Sequence, residues 1–141
     1  MINQRGTAVW NGDIKGSGEI TTQSGTVQVP YSVGTRFEGQ KGSNPEELIG
    51  AAHAACYTMY LVSLLTREGY SPTQVRTESK VTLDPGNMSP KVVKIAVSTS
   101  VQIPNLSAED FQRYAEDAKQ NCPISQLLSA VPEMTLEAKL Q

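Results

Sequence analysis

Apolar and polar positions alternate along two stretches of the chain, and between them lies one long apolar run. Val27, Val29 and Tyr31 alternate with Thr26, Gln28 and Pro30, the period of a half-buried strand. With Asn11-Gly12-Asp13 and Ser24-Gly25 as turn signals, residues 5–31 are expected to form a three-stranded meander. Asn44-Pro45-Glu46-Glu47 then opens a helix. Asn caps the free backbone N–H groups, Pro suits the first helical position, and two acids favour the positive end of the dipole. The helix should run to about Arg67 and stop at Gly69. Between Leu48 and Leu65 there is no charge, and apolar side chains point in every direction, so this helix should be buried on all sides.

Alternation returns after Gly69. Val75, Thr77, Ser79, Val81 and Leu83 share one phase, Val93 through Ile103 continue it, and Pro85-Gly86-Asn87 turns the chain between them, so 74–103 reads as an antiparallel hairpin. Ser107-Ala108-Glu109-Asp110 resembles a capping box opening a helix with Phe111, Tyr114, Ala115 and Ala118 on one face and Asn121 as a left-handed stop. Cys122-Pro123 starts a short helix to about Ala130, and Met134, Leu136, Ala138 and Leu140 alternate as a last strand. The class is α+β, with antiparallel sheet packed on a long central helix.

The chain has 141 residues, the size of one domain, so 1–141 is read as a single unit. A 25-residue helix is roughly 37 Å long, about the diameter of a lone domain of this length. Covering all its faces calls for a second subunit, and a homodimer is expected. Eighteen uncharged residues just reach the length of a membrane span. Gly50, His53, Thr58, Ser63 and four alanines, with no second span, favour a core helix and no membrane partner. A net charge of −2 without a Lys/Arg block argues against nucleic acid. The start MINQRGTAVWNGD has no secretory pattern, which points to the cytoplasm.

Two cysteines and one histidine concentrate the candidate chemistry. They have no CxxC or HxxxH spacing, which argues against zinc. Cys122, before Pro123 at a helix start, is locally favoured as a thiolate. Cys56 sits mid-helix, where desolvation raises a thiol's pKa. Ionising most of such a thiol at neutral pH takes a shift of about 2.5 units, roughly 3.4 kcal/mol. An active Cys56 therefore needs a cation from elsewhere. Arg36, in the loop before the long helix, is the better candidate and Lys41 the other. Glu46 lies on the same helix as Cys56, about 15 Å away by helix rise. His53, three residues before Cys56, is on a compatible face for a Cys–His pair, but no acid stands three or four positions away to orient it. A buried structural histidine is the plainer reading.

Thr35-Arg36-Phe37-Glu38-Gly39 and the run from Gly42 through Asn44-Pro45-Glu46-Glu47-Leu48-Ile49-Gly50-Ala51-Ala52-His53-Ala54-Ala55-Cys56 resemble the osmotically inducible protein C family. Cys122-Pro123-Ile124-Ser125 is similar to that family's second motif, and the likeness runs from the Trp10-Asn11-Gly12 hairpin to the last strand. The resemblance implies an intertwined α+β homodimer, related to the organic hydroperoxide resistance proteins, that reduces organic hydroperoxides through a thiol pair with no metal, flavin or other cofactor and is reset by a dithiol. It makes Cys56 the peroxide-attacking thiol, Cys122 the resolving one, Arg36 the thiolate's cation and Glu46 the acid that orients Arg36, with Glu47 the alternative acid. This reverses the local reading, which favours Cys122. A disulfide between the two requires Cα atoms about 4.4–6.8 Å apart. Leu48, Met59, Phe37 and Tyr57 are candidates to line an apolar entrance. Two other functions stay open on the residues: a hydrolase or acyltransferase using Cys56 and His53, and a non-catalytic module for apolar ligands.

Overall fold

The computed structural model describes all residues, Met1–Gln141, in two compact units, Met1–Leu48 and Ile49–Gln141.

In the first unit the expected meander is present. β1 (Gly6–Asn11), β2 (Ser17–Thr22) and β3 (Gln28–Tyr31) form an antiparallel sheet in sequence order. Gly18 of β2 is opposite Trp10 on one side and Tyr31 on the other. A Cβ on Gly18 would come within 2.5 Å of the Tyr31 ring. Its absence lets the two rings meet edge to face at 5.3 Å. The stretch read as a loop before the long helix is instead a short helix, α1 (Val33–Phe37), so Arg36 is a helical residue. A reciprocal cap nucleates it: Thr35 N–H donates to Ser32 Oγ at 3.1 Å, and Ser32 N–H donates to Thr35 Oγ1 at 2.9 Å. Gly34 inside so short an element hides it from a propensity reading.

α2 (Pro45–Arg67) begins in this unit and continues through the next, with the limits expected. Asn44 Oδ1 accepts from Glu47 N–H at 2.8 Å, the predicted cap. The expectation of burial on all sides does not hold within one chain. Gly50, His53, Tyr57, Leu61 and Leu65 form one buried row, while Ala51, Ala52, Ala55 and Met59 are exposed, Met59 by 75%. One chain of this length has too few elements to cover the helix.

The second unit packs α2 and α3 (Ala108–Asn121) with a sheet of order β4-β5-β6. Tyr57, Leu61 and Leu65 of α2, Ile95, Val97 and Val101 of β5, and Phe111 and Ala118 of α3 make its core. β4 (Gln74–Asp84) and β5 (Lys91–Gln102) are the predicted antiparallel hairpin. β6 (Glu133–Leu140) runs parallel to β5, so the sheet is mixed, not wholly antiparallel. The cause is the intervening pair α3 and α4 (Pro123–Leu127), a helical crossover that returns the chain in the same direction. α4 ends three residues before the expected Ala130. Asn121 is helical and not a left-handed stop. Pro123 drives the preceding residue out of the helical region, so α3 ends because Cys122 is extended at φ −64 and ψ 138. At Ser107 only half of the expected box forms: its hydroxyl accepts from Asp110 N–H, while the Asp110 carboxylate returns to the same hydroxyl.

Candidate active site

The geometry is built from two clusters, one in each unit. In the first unit, capped α1 presents Arg36 to the first turn of α2. Arg36 Nε donates to Glu46 Oε2 at 3.1 Å and Nη2 donates to Oε1 at 2.5 Å. This is the fork-on-carboxylate geometry that only arginine supplies. Glu46 is the partner, and Glu47 is exposed with no ion pair of its own. The hydrogen bond to Glu46 raises the Arg36 pKa further, and 35% of its side chain stays exposed. Arg36 also lies 5.2 Å from the centre of the Phe37 ring. Both line a largely apolar cleft of about 340 Å³ with Trp10, Ile14, Tyr31, Ser32, Val33 and Pro45.

Of the four residues expected at an apolar entrance, only Phe37 lines this cleft. Tyr57 is fully buried and donates its hydroxyl to the Ala115 carbonyl at 3.1 Å, so it is core. Met59 faces a separate hollow with Ala54, Ala55 and Thr58. Leu48, partly buried, is among the lining residues of neither. Trp10, Ile14 and Tyr31 belong to the cleft through the sheet register, which no local motif announces.

In the second unit the two cysteines, 66 residues apart in sequence, are neighbours. Both are free thiols, Cys56 partly buried and Cys122 fully buried. Burial pushes the Cys56 thiol above its ordinary pKa, the backbone of Ile124 works against this, and the adjoining Cys122 side chain adds to the rise. Cys122 caps α4: Ser125 N–H donates to its sulfur at 3.3 Å, and its thiol donates to Ser125 Oγ at 3.0 Å.

His53 is fully buried, and neither ring nitrogen is free for Cys56. Nδ1 is 2.7 Å from Ser79 Oγ of β4, and Nε2 is 2.8 Å from Ser125 Oγ. Desolvation lowers its pKa, so the ring is neutral at physiological pH. Gly50, one turn earlier, permits this seat: a Cβ there would come within 2.6 Å of the Ser79 carbonyl oxygen. Neither Ser79 nor Ser125 stands out in the sequence as a partner of His53. Their signals were faint but present, Ser79 lying on the inward phase of its strand and Ser125 on the third residue of the helix that Pro123 opens.

An α+β protein with two adjoining free thiols beside a long helix, and an arginine locked to a carboxylate at that helix's start, has the makings of a dithiol redox protein. The chain belongs to the OsmC-like family, whose pattern matches residues 38–137. It is 46% identical to the protein named Peroxiredoxin OsmC of Escherichia coli K12, over 99% of this chain and 98% of that one. It is 29% identical to Organic hydroperoxide resistance protein-like 1 of Staphylococcus saprophyticus, over 77% of each chain. Among solved structures, an OsmC-like protein from Vibrio cholerae superposes with a TM-score of 0.77 over 98% of this chain and 99% of that one, at 16% identity. The organic hydroperoxide resistance protein OhrB of Bacillus subtilis does so with a TM-score of 0.67 over 97% and 98%, at 24% identity.

Proposed function

We propose that this protein is a thiol peroxidase that reduces organic hydroperoxides, working as a cytoplasmic homodimer reset by a dithiol. One observation carries the reading: Cys56 and Cys122, far apart in sequence, are neighbouring free thiols. The curated relatives named as a peroxiredoxin and as organic hydroperoxide resistance proteins support it.

Cys56 thiolate attacks one peroxide oxygen and the O–O bond breaks. The alkoxide leaves and takes a proton to become the alcohol, and Cys56 becomes a sulfenic acid. Cys122 then displaces its hydroxyl, closing a disulfide and releasing water. An external dithiol supplies the two electrons and two protons that restore both thiols. Because burial raises the Cys56 pKa, the first step needs a cation at the sulfur. Arg36, held by Glu46, is the cation we assign, delivered from the partner subunit. The exposed apolar row Ala51, Ala52, Ala55 and Met59 on α2 is the face we assign to that partner. The cleft bordered by Arg36 and Phe37 suits an alkyl chain, since a peroxide's apolar tail gains by leaving water.

The test is consumption of cumene hydroperoxide with dithiothreitol. Wild type should turn over and Cys56→Ser should not, and Cys122→Ser, reduced and then freed of dithiothreitol, should consume one equivalent and leave a sulfenic acid trapped by dimedone on Cys56. Turnover by Cys56→Ser at the wild-type rate would overturn the reading.

A further inference from the structure

We infer that Ser125, His53 and Ser79 form a proton wire serving Cys122, with Ser125 the residue in contact with the reacting sulfur and His53 a positioning residue acting through it. The inference rests on the peroxidase reading above and concerns its second step. Cys122 is fully buried, yet closing the disulfide requires its thiol to lose a proton, and reduction requires the proton back. Both transfers take place at a sulfur with no exposed surface.

The hydrogen bonds supply the route, and donor counting orients it. The Cys122 thiol donates to Ser125 Oγ at 3.0 Å. Ser125 therefore has its own hydroxyl proton left to give, and it gives it to His53 Nε2, 2.8 Å away. A neutral imidazole that accepts at Nε2 donates at Nδ1, here to Ser79 Oγ at 2.7 Å. Ser79 is only partly buried, so the far end of the chain is the end nearer to solvent. No formal charge stands beside the ring. The inward residues of β4 around Ser79 are Thr77 and Val81, its charged Glu78 and Lys80 are exposed, α4 has no titratable side chain, and the titratable neighbours on α2 are Cys56 and Tyr57.

The step balances without an outside reagent beyond the peroxide already consumed. Cys122 sulfur bonds to Cys56 sulfur, and the S–O bond of the sulfenic acid breaks. Cys122 is oxidised by one formal level and Cys56 reduced by one. The Cys122 proton moves to Ser125 Oγ, the Ser125 proton to His53 Nε2, the Nδ1 proton to Ser79 Oγ, and the Ser79 proton out to solvent, while the hydroxide departing from the partly exposed Cys56 takes one proton from solvent and leaves as water. No imidazolium has to persist in the core. Every hydrogen bond in the chain reverses and none is lost, so Ser125 ends as a donor to Cys122, ready to return the proton on reduction.

The experiment is a single turnover of the reduced full-length protein with one equivalent of cumene hydroperoxide. Peroxide loss times the first step, and mass spectrometry of quenched samples times disulfide closure. Ser125→Ala and His53→Gln should lower the ratio of second-step to first-step rate roughly tenfold or more and let the dimedone adduct of Cys56 accumulate. Ser125→Thr, which keeps the hydroxyl, should restore the ratio. A general loosening of the core would slow both steps and would not respond to the hydroxyl. Disulfide closure at the wild-type ratio in Ser125→Ala would overturn the wire while leaving the peroxidase reading intact. Wild type that consumes no peroxide would overturn both.

Discussion

Arg36 and Glu46 meet through two parallel hydrogen bonds, at 3.1 and 2.5 Å, across the gap between a five-residue helix and the first turn of a long one. A lysine keeps the charge and loses the fork. Arg36→Lys and Glu46→Gln should each lower kcat/KM for cumene hydroperoxide by roughly a hundredfold, whereas Glu47→Gln, which removes no ion pair, should stay within about twofold of wild type. Equal losses in the two glutamate variants would show that the pairing seen here is not the one used.

Alkylation by iodoacetamide against pH reports the Cys56 thiolate, best in a Cys122→Ser background. Burial alone moves this thiol up, so removing its cation should expose that rise. In Arg36→Ala the reactivity should titrate above the ordinary cysteine value of about 8.5; with Arg36 present it should titrate below it. Identical profiles would dissociate Arg36 from the sulfur.

His53 is the chain's single histidine, which makes its linkage to stability separable. Its folded pKa is depressed by burial, so the unfolded chain takes up a proton near about pH 6.5 while the folded one does not. The unfolded state then binds more protons, and the contribution is complete above that pH and lost as pH falls below it. Urea denaturation should show wild-type stability falling from about pH 7 to about pH 5 more steeply than that of His53→Gln, by up to roughly 1.4 kcal/mol per pH unit. Parallel slopes would refute the assignment.

Gly50 offers a packing test. A methyl group there meets the Ser79 carbonyl at 2.6 Å, backbone against backbone, with no flexible side chain to yield. Gly50→Ala should cost about 1–3 kcal/mol in urea denaturation, despite alanine's higher helix propensity, and Thr66→Ser at an exposed position of the same helix should cost little.

What the sequence disclosed follows from how far apart the causes lie. Asn44-Pro45 capping, the alternation at 74–83 and the Cys122-Pro123 helix start are set by residues within a turn of one another, and these elements form where expected. The direction of β6 depends on a crossover of two helices, and the seat of His53 depends on Ser79, 26 residues away, and Ser125, 72 residues away. No local period encodes either. Family resemblance links the two thiols, while local chemistry favours Cys122 over Cys56. The helix start is visible in the sequence, whereas the hydroxyl that accepts the Cys122 proton is placed only by the fold.

The parallel pairing of β6 with β5 also sets an order of events at the ribosome. β6 lies after both cysteines in the chain, so it joins that sheet only once the crossover carrying the second cysteine has been made. A chain made only as far as β5 therefore holds one sulfur on its helix with no companion, and the second arrives with the crossover that β6 fastens to the sheet.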